Sequence, residues 1–412
     1  MNPSSARASD PRWVTSRETL EVVIVGAAVL AVYVVTMMVF DDFETSPDSF
    51  FHLLADSFLN GRTDLIDPPR RIDLVQWEGK WYLPFPPLPA IAMLPAVAAL
   101  GVTHVNVALF VALAGSVTAS IFLLCLRAWS GLGWTTLNRR ERLLLTGAFA
   151  FGSIHWYMAT TSTVWYVAQV TTCCFAMVAV CLASSGGSAM ATGAALGFAI
   201  MGRPHVITLS ILLYAIARER RRMTDRTWQP MRWLVGFAVP VVAAFVFLAA
   251  YNWVRFGAPF EFGYMKAGVA DVLASDLHNR GQFNIAYLPR NAYYTFLAPP
   301  RWSERAHFWT PSPQGMSVLL TMPYLAWMFR FRVDRRSKAA VASLALGLVA
   351  PLMYFNTGAF QFGSRFFLDV APAAYALLAW NMRSPLSRTA RTAIIAAVAV
   401  NAAGTIWWHW PR

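Results

Sequence analysis

The chain has 412 residues, 57% of them hydrophobic and 13% charged, with a formal net charge of +13. A soluble core does not need that apolar fraction at this length, because larger soluble chains split into domains instead, so the composition indicates a polytopic membrane protein. Its basic residues fall in short clusters between apolar runs, the pattern that orients spans, and no nucleic-acid partner is expected.

Residues 1–19 form a polar stub that precedes the apolar run Leu20 to Phe40. That run is about as long as a full crossing and lacks a small-x-small cleavage site before Asp41, so it reads as a retained first span rather than a signal peptide. Beyond it come Asp41, Asp42, Glu44 and Asp48, and then Phe51, Leu54, Ala55 and Phe58 at helical spacing. This predicts a short helix with one apolar stripe, suited to lying at the membrane interface. Its opposite face carries Asp48, His52, Asp56 and Asn60. The acids there either solvate the helix and balance nearby arginines, hold a divalent metal through the D-x3-H-x3-D spacing, or face a substrate.

Next, Lys80, Trp81 and Tyr82 lead into a proline-rich entry to a second apolar segment, Pro86 to Leu100. Parity denies it a full crossing, which makes it interfacial or re-entrant. Further apolar runs lie near 103–126, 143–160, 164–184, 189–201, 204–217, 233–254, 315–329, 339–355, 370–382 and 392–410, giving about eleven transmembrane helices in an all-α polytopic chain. The strongly basic segments 127–142 and 218–232 belong on one side, with four crossings between them and an outer turn at "MGRPH". Placing these segments, 330–338, 383–391 and the N-terminus in the cytoplasm puts 21 of the 34 Lys and Arg there against 7 of the 21 acids, counting Glu21 at the edge of the first span. The outer segments are then 41–102, 255–314 and 356–369. Arg365 and Asp369 stand four apart in the last, as a local ion pair or an exposed phosphate-binding arginine would. Arg203 in the outer turn suits either snorkelling to a headgroup or a phosphate fork.

Cys125, Cys173, Cys174 and Cys181 all lie in apolar runs without CxxC or Cys/His spacing, which argues against a disulfide framework or zinc site. "GAALG" at Gly193 to Gly197 fits close helix packing more readily than dimerisation. Lysine occurs only as Lys80, Lys266 and Lys338, and this arginine bias fits a GC-rich bacterial genome.

The run "SPDSFFHLLADSFLNGR", the later "GKWYLPFPPLPAIAMLP" and the span hairpin turning at "GRP" together resemble the GT-C superfamily of integral-membrane glycosyltransferases. The branch most similar contains the protein O-mannosyltransferases and the aminoarabinose transferase of lipid A. The likeness covers about the first 220 residues well, as a conserved module over 20–220 that contains the outer loop 41–102. Residues 221–412 form a C-terminal transmembrane module. The resemblance implies a bacterial cytoplasmic-membrane enzyme that moves a sugar from a polyprenyl-phosphate donor to a glycan, lipid or protein acceptor outside the cell. It also implies a base among Asp48 by register, or Asp41 or Asp42 by closeness to the first span, since only one acid of the family's pair is kept. Arg203 is the implied phosphate ligand, with Lys80, Arg290 and Arg365 as further cations and His52 and Tyr82 as further substrate contacts. No cofactor is fixed, although a divalent metal is compatible with the pattern. A transporter or lipid flippase is the alternative class. Transporters usually keep charges inside their spans, and only Glu21, at the edge of the first, fits that description.

Overall fold

The computed structural model describes residues 16–224, 228–266, 271–304, 307–330 and 334–410, so the stub up to residue 15 lies outside them. Apolar runs fold as helices because a helix satisfies every backbone N–H and C=O within its own segment. The first span is α1 (Ser16–Val39), followed by the short α2 (Phe51–Leu59), a hairpin of β1 (Val75–Trp77) and β2 (Lys80–Tyr82), and α3 (Leu88–Leu100). Then come α4 (Val107–Gly131), α5 (Arg139–Phe151), α6 (His155–Ala159), α7 (Val164–Ser185), α8 (Ala189–Ile200), α9 (Leu209–Thr224) and α10 (Pro230–Phe256). A long connection holds α11 (Asp271–Arg280), α12 (Leu288–Ala292) and the hairpin β3 (Arg301–Ser303) and β4 (Phe308–Thr310). The chain closes with α13 (Val318–Thr321), α14 (Arg335–Leu352), α15 (Ala371–Asn381) and α16 (Arg388–His409).

Among the described residues, five helices, α1, α4, α7, α10 and α16, are long and apolar enough to cross a membrane alone. The other predicted crossings are shorter or broken. The 143–160 run breaks between α5 and α6, where Ser153 Oγ donates to Phe149 O and accepts from the His155 amide. A 3-10 segment, Arg365–Val370, leads into α15, and residues 361–379 are buried throughout, as irregular backbone at membrane depth requires. The all-α class holds, with two small hairpins that the hydrophobic pattern did not show. The first turns at Glu78 and Gly79, both at positive φ, as a tight two-residue hairpin demands.

The basic clusters gather at one end of the bundle. Glu21 pairs with Arg127 and Arg139, and the Arg336 guanidinium lies 4.5 Å above the Trp134 ring. Two glycines of "GAALG" let α8 meet α10 within the chain, since a Cβ at Gly193 would come within 2.2 Å of Phe237 O. At the opposite end α2 buries Phe51, Leu54 and Ala55, the predicted stripe, and Phe58 meets the Tyr251 ring edge-on at 5.9 Å. α3 has 13 residues, too few to cross, and its first amide donates to Met201 O at the tip of the α8–α9 hairpin. Arg255, buried in the last turn of α10, donates to Leu83 O and so ties the β1–β2 hairpin to the bundle. These contacts bring the first outer segment over the mouths of α7, α8 and α9.

Candidate active site

Arg203 stands where α8 turns back, held by the Gly202–Pro204 turn. A Cβ on Gly202 would come within 2.2 Å of Thr172 Oγ1 and 2.9 Å of Leu88 Cδ2, so only glycine lets this turn pack against α7 and α3. Gly202→Ala is therefore expected to destabilise the protein by about 1–3 kcal/mol and to displace Arg203. A thermal melt in detergent, together with ligand binding, checks it.

The turn forms one wall of a cavity of about 240 Å³. Arg203 and His205 line it together with Phe85, Phe262, Tyr264, Phe283, Tyr354 and Phe366. Arg203 Nε and Nη2 are buried without a hydrogen-bond partner among the described residues. Its Nε lies 4.0 Å from Asp369 Oδ1, and its guanidinium sits 5.7 Å from the Phe366 ring. A buried guanidinium fork with free N–H groups in an apolar, aromatic cavity is a ready anion site.

Arg365 lies deeper. It donates to Gly358 O at 2.8 Å and to Gln169 Oε1 at 3.2 Å, and stacks against Phe366. The Arg365–Asp369 pair suggested by their spacing does not form. Residues 365–370 wind as a 3-10 helix with three residues per turn, so positions four apart no longer share a face. Asp369 turns instead to His205 Nε2, at 3.2 Å.

The predicted acids separate into two places. Asp42 pairs with His409 at the end of α16, and with Asp41 it lines a second cleft of about 450 Å³ alongside Glu44, Thr161 and Trp408. Asp48 pairs with Arg70 at 3.2 Å, and its carbonyl accepts from the Val164 amide at the start of α7. His52 is half-buried on α2 with Nδ1 unpartnered among the described residues, and burial lowers its imidazole to about 4. Among the described residues no three His, Cys, Asp or Glu side chains converge as a metal site, so Asp48, His52 and Asp56 do not assemble one here.

The other predicted cations lie apart from the cavity. Lys80 is exposed, 4.0 Å from Asp64, and Tyr82 packs edge-on against Phe256. Arg290 pairs with Asp276 and donates to Phe355 O, bracing the long connection.

One acid that sequence reading passed over belongs to the site. Asp73 is half-buried at φ +59, a backbone conformation rare outside glycine. Burial pushes its carboxyl up to about 6; Arg365 and Trp165 offset part of that, and Asp48 adds to it. Tyr264, a cavity residue, is pushed up to about 12 by burial, with Arg203 pulling it down and Asp73 pushing it further up. Asp73 is thus coupled electrostatically both to Asp48 and to the cavity residue Tyr264. Only its place in the "RRIDL" run marked it in the sequence, and nothing there set it apart from the other loop acids.

The folded carboxyl holds its proton up to about 6 against an ordinary value of 3.8, so the folded chain binds more protons between these values and stability falls as pH rises through them. Asp73→Asn is expected to raise the melting temperature at pH 7.5 by roughly 2 °C, with the gain vanishing near pH 4. An unchanged or lower melting temperature at pH 7.5 contradicts this.

No family model matches the chain, and no curated protein matches it in sequence. Among solved structures it is similar to ArnT from Cupriavidus metallidurans bound to undecaprenyl phosphate, with a TM-score of 0.55 and 14% identity over 93% of this chain. It spans 64% of that protein's length. A looser likeness, with a TM-score of 0.42 and 12% identity, links 95% of this chain to 56% of the archaeal oligosaccharyltransferase AglB from Archaeoglobus fulgidus in complex with an inhibitory peptide and a dolichol-phosphate. The chain thus shares its overall fold with that ArnT structure.

Proposed function

We propose that the chain is a membrane glycosyltransferase that moves a sugar from a polyprenyl-phosphate donor to an acceptor hydroxyl on the extracytoplasmic side. The observation that carries this reading is the Arg203 guanidinium, with two buried N–H-bearing nitrogens free, in an aromatic cavity at the end of the bundle opposite the basic clusters. That placement follows the positive-inside bias, so the cavity opens outside. ArnT, whose fold this chain shares, binds undecaprenyl phosphate.

In the reaction, the acceptor oxygen forms a bond to the anomeric carbon as the bond from that carbon to the phosphate oxygen breaks. The electron pair leaves with the polyprenyl phosphate, whose growing charge Arg203 meets. The acceptor's proton passes to Asp73, a carboxylate tuned close to neutral pH. Asp48 lies beside it and raises its proton affinity. Arg365, buried behind Asp73, fixes the local charge balance.

The test is transfer itself. Purified protein in proteoliposomes with a radiolabelled prenyl-phosphate sugar and a mixed acceptor extract should make new glycosides. A flippase or scaffold would move or hold the donor and form no glycosidic bond, and that result would return the chain to the rival class.

A further inference from the structure

Arg203 does not stand alone on its wall of the cavity. His205 lines the same cavity two residues on, in the first turn of the 3-10 segment Pro204–Thr208. Its Nε2, buried without a hydrogen bond among the described residues, lies 3.2 Å from Asp369 Oδ2. Asp369 has no exposed side-chain surface. Besides His205 it meets Arg203 Nε at 4.0 Å and Gln169 Nε2 at 3.5 Å. Gln169 in turn accepts from Arg365 and donates to the Arg365 carbonyl, so the carboxylate is held from α7 as well as from its own segment.

A carboxylate sealed from water needs cationic partners at hand. Here one carboxylate faces both Arg203 and His205, and both also line the cavity. Both side chains are therefore presented to whatever the cavity binds. A carboxylate behind an imidazole also fixes the ring and directs its other nitrogen outward.

We propose that His205 is a second phosphate-binding residue, positioned by Asp369, so that the donor's phosphate is held between the Arg203 fork and the His205 ring. This rests on the donor-phosphate reading of the cavity and adds a named contact to it.

The experiment compares two probes on the purified protein: a fluorescent short-chain prenyl phosphodiester, whose charge stays fixed across the working range, and the corresponding prenyl alcohol. His205→Gln is expected to weaken the phosphodiester about tenfold or more, the lower end for loss of a hydrogen bond to a charged group, and to leave the alcohol unchanged. His205→Lys, which supplies a cationic donor at the same place, is expected to stay within about threefold of wild type. Phosphodiester binding unchanged in His205→Gln overturns the proposal. Equal loss for both probes, or equal loss in the glutamine and lysine variants, also overturns it by showing a packing role. If the wild type itself binds alcohol and phosphodiester alike, the phosphate reading of the cavity fails first, and this assignment with it.

Discussion

Arg203→Ala is expected to weaken binding of a prenyl phosphate roughly 10- to 100-fold, the range that follows from about 1.5–3 kcal/mol per hydrogen bond to a charged group. The guanidinium has Nε and Nη2 buried and unsatisfied among the described residues, so its desolvation is already met in the folded protein and an incoming phosphate recovers those bonds. Aromatic side chains around it, among them Phe85, Tyr264 and Phe366, keep the local dielectric low and strengthen each charged contact. Arg203→Lys should recover only part of the affinity, because an ammonium cannot reproduce the planar fork. The measurement is a titration with fluorescent prenyl phosphate in nanodiscs. A variant that binds as tightly as wild type would place the phosphate elsewhere and return Arg203 to snorkelling.

Asp73→Asn is expected to lower the rate of sugar transfer by about 10² to 10⁴, the usual contribution of a positioned general base, while leaving donor binding within about threefold. In wild type the carboxyl, pushed up to about 6 mainly by burial, must be deprotonated to act. The transfer rate should therefore fall about tenfold per pH unit below about 6, and plateau above it. Asp48→Asn removes a neighbouring negative charge that raises the Asp73 carboxyl, so its acidic limb should move to lower pH along with a reduced rate. Full activity in Asp73→Asn, or a wild-type profile flat down to pH 4.5, would remove Asp73 from the reaction.

Much of the architecture could be read from residues alone, for identifiable reasons. The α2 stripe at Phe51, Leu54, Ala55 and Phe58 has a period that only a helix satisfies. The Pro86 to Leu100 run is too short to cross, and α3 is indeed a 13-residue helix. "GRP" singled out Arg203 only through the family resemblance, since a lone arginine in a hairpin tip suits snorkelling to a headgroup as readily as a phosphate fork. Other features depend on contacts across the chain. Arg290 carries the same charge as Arg203, but Asp276, fourteen residues earlier, claims it, and a sequence shows no such pairing. Lys80 falls to Asp64 for the same reason. Asp73 escaped notice because its environment comes from Trp165, Arg365 and Asp48, all distant in sequence, and because a positive φ at an aspartate leaves no mark in a hydrophobic pattern.

The second cleft, with Asp41 and Asp42, is the competing location for chemistry. Its acids would repel a phosphate, and Asp42 is already engaged with His409 at the end of α16. The two places differ in what they can hold. One offers an unsatisfied guanidinium among aromatic rings, the other carboxylates among threonine hydroxyls.

The most direct measurement is a structure with a non-hydrolysable prenyl-phosphate sugar analogue bound. The account predicts the phosphate oxygens within hydrogen-bond reach of Arg203 Nε and Nη2, and the anomeric carbon turned toward Asp73. A phosphate seated in the cleft beside Asp41 and Asp42, or away from Arg203 altogether, would contradict it.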